Sequence, residues 1–496
     1  MAEPPGDLGP SRRAGERAVA NTALRAAGEI IGKLASLLLF AVLAREVGPS
    51  DLGSFVFAFA WSQIATTPVG LGVDRYLLRR IALDRSAVDD FLFNALALKL
   101  ARSIPVLVGS AVAINVLGYD SQTRIAVYVL TVGLLLDSFA RTLVSVFNAF
   151  ERGGLVATGI VIQRFAAAGL GLAALAAGFG VIGVCVAFAI GTALRLGVAA
   201  IFLKRQIGVG SPRVPQWARK ELRARSMPFA LQDIFGLVLG RIDVIVLSFF
   251  ASNATVGIYG AAYRLFEATT FLSSALVGAF SAMYTYLGHD TRPTVRAVFG
   301  RSVKLGISLL VPCAIAYGLL ADPICRLFFG AELESAAEPL RLLAPVVVLY
   351  GLVVLGNSLI VSRRDPKLLV GIIGVVSLVN LGLNLFLAPR LEENGAALAM
   401  LLSEVLLACA VLTVALRTVN GISTSSTVAA PGLAGLAMAG VLVPLGSAPW
   451  AALCAGVLVY GLVYVLVDRR VSPGDLELVR DMVKRRLGSR RLQRAG

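Results

Sequence analysis

The chain of 496 residues reads as a succession of long apolar runs separated by short polar stretches. The runs fall at 20–46, 52–78, 91–118, 124–150, 155–178, 181–203, 227–250, 256–287, 297–321, 339–361, 368–388, 395–416, 428–446 and 449–467, fourteen in all. A helix needs about 20 residues to cross a hydrocarbon layer about 30 Å thick, whereas membrane strands are nearer 10 residues and alternate. The pattern predicts an all-α polytopic membrane protein with about fourteen transmembrane helices. Composition agrees, with 57% hydrophobic and only 15% charged residues, against roughly a quarter charged in a soluble domain. Folded in water, such a chain would expose large aggregating surfaces.

The net charge of +16 does not mark a nucleic-acid binder, because the basic residues sit at run ends and in one set of connections. With the N-terminus in the cytoplasm, the cytoplasmic connections hold Arg79, Arg80 and Arg85, then the basic stretch 204–226, then Arg292 and Arg296, then Arg363, Arg364 and Lys367. The opposite connections hold few, and the stretch 322–338 is acidic through Asp322, Glu332, Glu334 and Glu338. This positive-inside pattern places both termini in the cytoplasm of a cell-membrane protein. The first 19 residues lack a short apolar stretch with a small-residue cleavage site, so no signal peptide is expected.

Two pairs of glycines suggest a repeat. VGPSDLGSFVFAF carries Gly53 after the first run, and ASNATVGIYGAAY carries Gly257 after the seventh, 204 residues apart. GVIGVCVAFAI with Gly183 and EENGAALAMLL with Gly395 open the sixth and twelfth runs, 212 apart. Six crossings per copy make the copies parallel. The expected organisation is a tail at 1–19, a lobe at 20–203, a basic linker at 204–226, a second lobe at 227–416, two further helices at 417–468, and a basic tail at 469–496. Leu476, Val479, Val483 and Leu487 share a helical face there, opposite basic residues, and predict an amphipathic helix on the anionic inner leaflet.

The segments LAREVGPSDLGSFVFAFAWSQIATTPVGLGVDRYLLRRIA (43–82) and LGRIDVIVLSFFASNATVGIYGAAYRLFEA (239–268) resemble the first two and the seventh and eighth helices of Wzx-like polysaccharide flippases, within the MATE-like exporter superfamily. The resemblance spans the first twelve runs. It departs from the family in lacking a proline in FSAMYTYL (280–287). It implies a V-shaped pair of six-helix lobes and alternating access. The implied cargo is a polyprenyl-pyrophosphate-linked oligosaccharide, moved to the outer leaflet for cell-surface polysaccharide synthesis. A polysaccharide polymerase and glycosyltransferases are the implied partners.

Ionisable residues within the runs mark a polar interior, since a charge facing lipid costs several kcal/mol. Arg25, Glu29 and Lys33 lie four apart on one helical face. Others are Asp137, Arg141, Arg164, Arg195, Asp233, Arg241, Asp243, Arg264 and Glu267. Basic residues prevail, which suits a diphosphate that guanidinium groups can grip through paired hydrogen bonds. The expected cationic cavity uses Arg25, Lys33, Arg164, Arg241 and Arg264. Glu29, Asp243 and Glu267 are expected to ease cargo release or to bind H⁺ or Na⁺. Asp137/Arg141 and Arg264/Glu267 can equally act as locks between or along helices. Lys99, Arg102, Arg301 and Lys304, near run ends, are expected to snorkel to headgroups.

Five scattered cysteines and one histidine, His289, provide no metal or redox site, and no cofactor is expected. Gly178–Gly183 fits a dinucleotide-binding pattern but sits between two apolar runs with no preceding strand. No catalytic motif appears, so the chain is read as a transporter and not an enzyme. A drug or metabolite exporter of the same superfamily is the alternative. A membrane glycosyltransferase or ligase would need a larger loop bearing carboxylates than 322–338.

Overall fold

The computed structural model describes residues 10–210, 212–286, 292–364, 366–445 and 448–471, with the side chains of 10–27, 29, 30, 228, 279, 281–283, 285, 286, 292, 293, 366 and 424 excepted. The first nine residues, His289 and the amphipathic stretch expected in the C-terminal tail lie outside the described residues. The helices are α1 (Pro10–Gly70), α2 (Val73–Leu83), α3 (Val88–Val116), α4 (Ser121–Ala149), α5 (Gly153–Ala176), α6 (Gly180–Phe202) and α7 (Gln216–Phe250). They continue with α8 (Asn253–Tyr286), α9 (Arg292–Leu319), α10 (Ala321–Phe329), α11 (Ala337–Arg363), α12 (Pro366–Val419), α13 (Thr424–Leu442) and α14 (Pro449–Val471). Among the described residues the fold is all helix and turn, with no strand. Nine helices among the described residues are by themselves long and apolar enough to cross a membrane.

The predicted runs map onto these helices, two of them twice over. The first two runs form α1, which breaks at Gly48, where φ is 72° and a side chain would be strained. The eleventh and twelfth runs form α12, which breaks at Glu392. Asp120 caps α4 by accepting from the Thr123 backbone N–H at 2.9 Å. Gly178 and Gly180, at φ 80° and 53°, make the turn between α5 and α6, so the glycine run there serves chain reversal.

On α3, Leu100, Ile104, Val108, Val112 and Val116 form a stripe at four-residue spacing, each between 57% and 79% exposed. In water each would forgo about 1.5–3 kcal/mol of burial. Facing lipid tails it forgoes nothing, and Leu458, Leu462 and Leu466 repeat the arrangement on α14.

The chain divides into two compact units. The first comprises the chain up to Phe271 with Cys325–Pro339 and Pro366–Ser403; the second comprises Leu272–Ile324, Leu340–Asp365 and the chain from Glu404 onward. A tight core in the first unit joins Val73, Leu77 and Ile81 of α2 to Phe91 of α3, Phe147 of α4 and Leu222 of α7. In the second unit Lys304 of α9 is buried in an ion pair with Asp468 of α14, and Tyr460 donates to the Ser308 carbonyl at 2.9 Å. Lys304 therefore does not snorkel: a carboxylate from another helix meets it inside.

The repeat-pattern glycines mark close approaches. A Cβ on Gly53 would stand 1.7 Å from the Asn253 carbonyl oxygen, and one on Gly257 would stand 2.1 Å from that of Pro49. The second half of α1 thus meets the start of α8 backbone against backbone. Asn253 adds a hydrogen bond to Ser54 at 3.2 Å. Gly183 and Gly395 are used alike: a Cβ would meet Ala174 of the preceding helix at 2.8 Å in one case and the Leu387 carbonyl at 2.4 Å in the other.

Gly53→Ala must push these backbones apart and should destabilise the protein by about 1–3 kcal/mol or more. Gly109→Ala, in the interior of α3 at a position with nothing within 4 Å, should leave stability unchanged or raise it by up to about 1 kcal/mol. Thermal unfolding of the purified protein in detergent reads both.

Candidate functional site

Within the first unit, α1, α5, α7 and α8 bring charged side chains to one interior space. Ser36 of α1 is the meeting point: its hydroxyl accepts from Arg164 of α5 at 2.9 Å, and its carbonyl accepts from Arg264 of α8 at 3.3 Å. Arg264 also donates to Glu267 at 2.8 Å, and Arg241 of α7 reaches the other Glu267 oxygen at 3.0 Å. One carboxylate therefore lies between two guanidinium groups of different helices. Lys33, a turn below Ser36, donates to the Thr270 hydroxyl at 2.7 Å, and that hydroxyl donates to the Glu267 carbonyl.

Rings hold the arginines in place. The Arg241 guanidinium lies 5.1 Å from the centre of Tyr263, whose hydroxyl donates to the Gly240 carbonyl, and Arg264 lies 5.4 Å from Phe40. Such cation–π contacts contribute about 0.5–2 kcal/mol and fix the guanidinium plane. Phe40, Phe55, Phe59 and Phe188 line the same cavity as these charges. The space is therefore amphipathic, with cationic and aromatic side chains on one wall surface.

A larger cavity of about 470 Å³ continues past Gln63, Thr66, Asp137, Arg141 and Arg195, and Arg164 and Arg241 also line it. A third, of about 380 Å³, is lined by Lys33, Asp74, Arg141, Ser145, Arg164 and Arg195. Both exceed by far the roughly 30 Å³ that one water occupies in the liquid, so these charges face a space wide enough for solvent.

Of the residues expected at the site, Lys33, Arg164, Arg241, Arg264 and Glu267 come together. Asp243 stands apart: it is buried, accepts from the Tyr259 hydroxyl and caps the Val244 backbone N–H at 2.9 Å. The side chains of Arg25 and Glu29 lie outside the described residues. Sequence reasoning missed Ser36, Gln163 and the phenylalanine wall, and nothing in their spacing singled them out. The Asp137/Arg141 pair forms at 2.8 Å, and Arg195 of α6 joins it at 3.0 Å.

Lys99 corrects an expectation. It is fully buried, meets both Asp74 oxygens at 2.8 Å and donates to the Ser138 carbonyl at 2.8 Å. Thr142 donates to Asp74 as well. It does not snorkel, because α2 supplies a carboxylate deeper in the protein. Asp74 is thereby engaged at the cavity wall.

At one end of this space, α2 and α7 are clasped. Arg75 pairs with Asp233 at 2.9 Å and donates to Gln232 at 2.6 Å, and the Tyr76 hydroxyl donates to Glu221 at 2.5 Å. Gly72 allows the approach, since a Cβ there would stand 2.4 Å from the Ser226 carbonyl.

Membrane-length helices thus surround a charged, partly aromatic cavity. Solved structures share the fold. The lipid II flippase MurJ in an inward closed conformation aligns with a TM-score of 0.72 at 14% identity, over 93% of this chain and 100% of that one. A MOP-superfamily transporter from Pyrococcus furiosus aligns with a TM-score of 0.63 at 14% identity, over 82% of this chain and 95% of that one. A family model described as "Polysaccharide biosynthesis protein" matches residues 18–287, more than half of the sequence, and the chain belongs to that family. A second model, MatE, matches residues 228–386. A probable low-salt glycan biosynthesis flippase, Agl15 of Haloferax volcanii, is 24% identical over 75% of this chain and 78% of its own.

Lys99→Ala would strand the Asp74 carboxylate and should cost about 3–5 kcal/mol. Lys99→Met combined with Asp74→Asn should recover most of that loss, as read by thermal unfolding in detergent.

Proposed function

We propose that this protein is a flippase that carries a polyprenyl-diphosphate-linked oligosaccharide from the cytoplasmic to the outer leaflet by alternating access. The observation that carries the reading is the convergence of Arg164, Arg241 and Arg264 on one cavity, with the single Glu267 carboxylate between the last two. Guanidinium forks match the oxygen pairs of a diphosphate. Phenylalanine rings on the cavity wall suit the C–H faces of sugars. The family and the name of its Haloferax volcanii relative point the same way.

Several parts belong to this reading. The protein sits in the cell membrane with both termini in the cytoplasm. Two parallel six-helix repeats do the transport, and the last two helices and the basic tail are additions, the tail resting on the anionic inner leaflet. Glycosyltransferases make the cargo and a polymerase receives it. Asp243, Glu267 and Glu29 are the carboxylates offered for coupling to H⁺ or Na⁺.

The MatE match supports an exporter as the second reading. The sign of the cavity disfavours cationic drugs for it, since guanidinium groups outnumber carboxylates on the wall.

Charge-assisted hydrogen bonds contribute about 1.5–3 kcal/mol each, so Arg241→Ala or Arg264→Ala should slow translocation of a labelled polyprenyl-diphosphate oligosaccharide in proteoliposomes about tenfold to a hundredfold. Deletion of the gene should leave the lipid-linked precursor on the cytoplasmic face and remove a surface glycan. Undiminished transport by both variants would reject the diphosphate clamp.

A further inference from the structure

Arg102 of α3 lies where the lipid-facing stripe of that helix begins. The stripe runs from Leu100 to Val116, and at 1.5 Å per residue it covers about 24 Å of a hydrocarbon layer about 30 Å thick. Arg102 is half-buried beside its first residues and donates to the Val69 carbonyl of α1 at 3.4 Å. The charge that acts on it is that of Arg223 of α7, and the two repel. Among the described residues neither arginine makes an ion pair with a carboxylate. Neither lines the interior cavities described above.

Arg223 stands at the margin of the membrane too. With 35 residues α7 is about 52 Å long, far more than the hydrocarbon requires, and Arg223 sits in its first quarter. That overhang buries Ala218, Leu222 and Ser226 and leaves Trp217, Lys220, Arg223 and Met227 exposed. Basic groups with tryptophan and an apolar side chain on one helix face are the profile of a headgroup layer. α3 is its neighbour there: Phe91 meets Trp217 edge-on at 5.6 Å, and Asn94 donates to the Pro215 carbonyl at 3.2 Å. The stretch 204–226 holds seven Lys and Arg against one acidic residue, Glu221. Glu221 is already engaged, accepting from Tyr76 and pairing with Arg80 at 3.7 Å.

We propose that Arg102 and Arg223, with the stripe that begins at Leu100, form a site for one anionic phospholipid. Its phosphate accepts from both guanidinium groups, and an acyl chain lies along Leu100 and Ile104. The leaflet is the cytoplasmic one, which rests on the topology given under Proposed function. The position gives the lipid a task. Gly72 follows Val69 at the junction of α1 and α2 and touches the Ser226 carbonyl, and the Ser226 hydroxyl donates back to the Arg223 carbonyl. A phosphate between Arg102 and Arg223 removes the repulsion that parts α3 from α7, and so holds the α2–α7 clasp shut.

The test uses the full-length protein in micelles of neutral detergent doped with phosphatidylglycerol or with phosphatidylcholine, read by thermal unfolding. Phosphatidylglycerol should raise the midpoint by about 2–4 °C over phosphatidylcholine. Arg102→Gln and Arg223→Gln should each remove more than half of that rise, and the double variant little more than either, because one lipid bridges both. Each variant is compared with itself in phosphatidylcholine, so a general loss of stability does not enter. Arg213→Gln, at an exposed position on the same basic stretch, should keep the whole rise. A rise that survives both substitutions, or falls equally in Arg213→Gln, would overturn the site in favour of diffuse attraction to a basic surface. An Arg102-dependent rise with inorganic pyrophosphate in undoped micelles would overturn the lipid as occupant and assign the pair to free phosphate. Labelling of Arg213→Cys by an impermeant thiol reagent outside intact cells would overturn the cytoplasmic leaflet while leaving the micelle result in force. None of these outcomes bears on the flippase reading, whose own measure is translocation.

Discussion

Placing charge at bilayer depth is costly, and the polar interior of this protein is arranged around that cost. Removing an ion from water carries a penalty of several kcal/mol even after relaxation. Two solutions appear. Lys99 meets the Asp74 carboxylate, and Lys304 meets that of Asp468, each across two helices. Glu267 and Asp137 instead stand between two arginines each, and these groups border space wide enough for water. Each of these carboxylates joins its own helix to another.

Much of this was legible in the one-dimensional pattern. Run length alone announced membrane helices, and the paired glycines at 53 and 257 turned out to press on each other's backbone. Of the described residues expected in the cationic cavity, Lys33, Arg164, Arg241 and Arg264 converge. Periodicity shows which residues share a face of one helix, but not how that helix is rotated against its neighbours. Asp74 lies 25 positions from Lys99, and Asp468 lies 164 from Lys304, so neither partner could be read from spacing. From the sequence, their position near run ends points to snorkelling for both lysines. Ser36 and the phenylalanine wall were silent for another reason: serine and phenylalanine are ordinary in apolar helices, and only their convergence gives them meaning.

The aromatic lining of the cavity complements its charged groups. Phe40 serves both, as one face of the Arg264 contact and as part of the wall that continues through Phe55 and Phe59. A guanidinium group that stacks on a ring keeps its edge free for oxygen, so the rings orient the donors as well as fill volume. Removing such a ring acts on the charge without touching it.

The two ends of the first unit's interior are closed by different physics. Where α2 meets α7, the backbone approach at Gly72 is joined by a partly exposed ion pair, Arg75 with Asp233, 48% and 31% accessible. Pairs of that kind contribute at most about 1 kcal/mol and are screened by electrolyte over about 8–10 Å. Where α1 meets α8, the atoms that touch at Gly53 and Gly257 are backbone. Ionic strength therefore acts more on the first seam than on this contact. The surrounding medium can bias which end loosens first without any change in the protein.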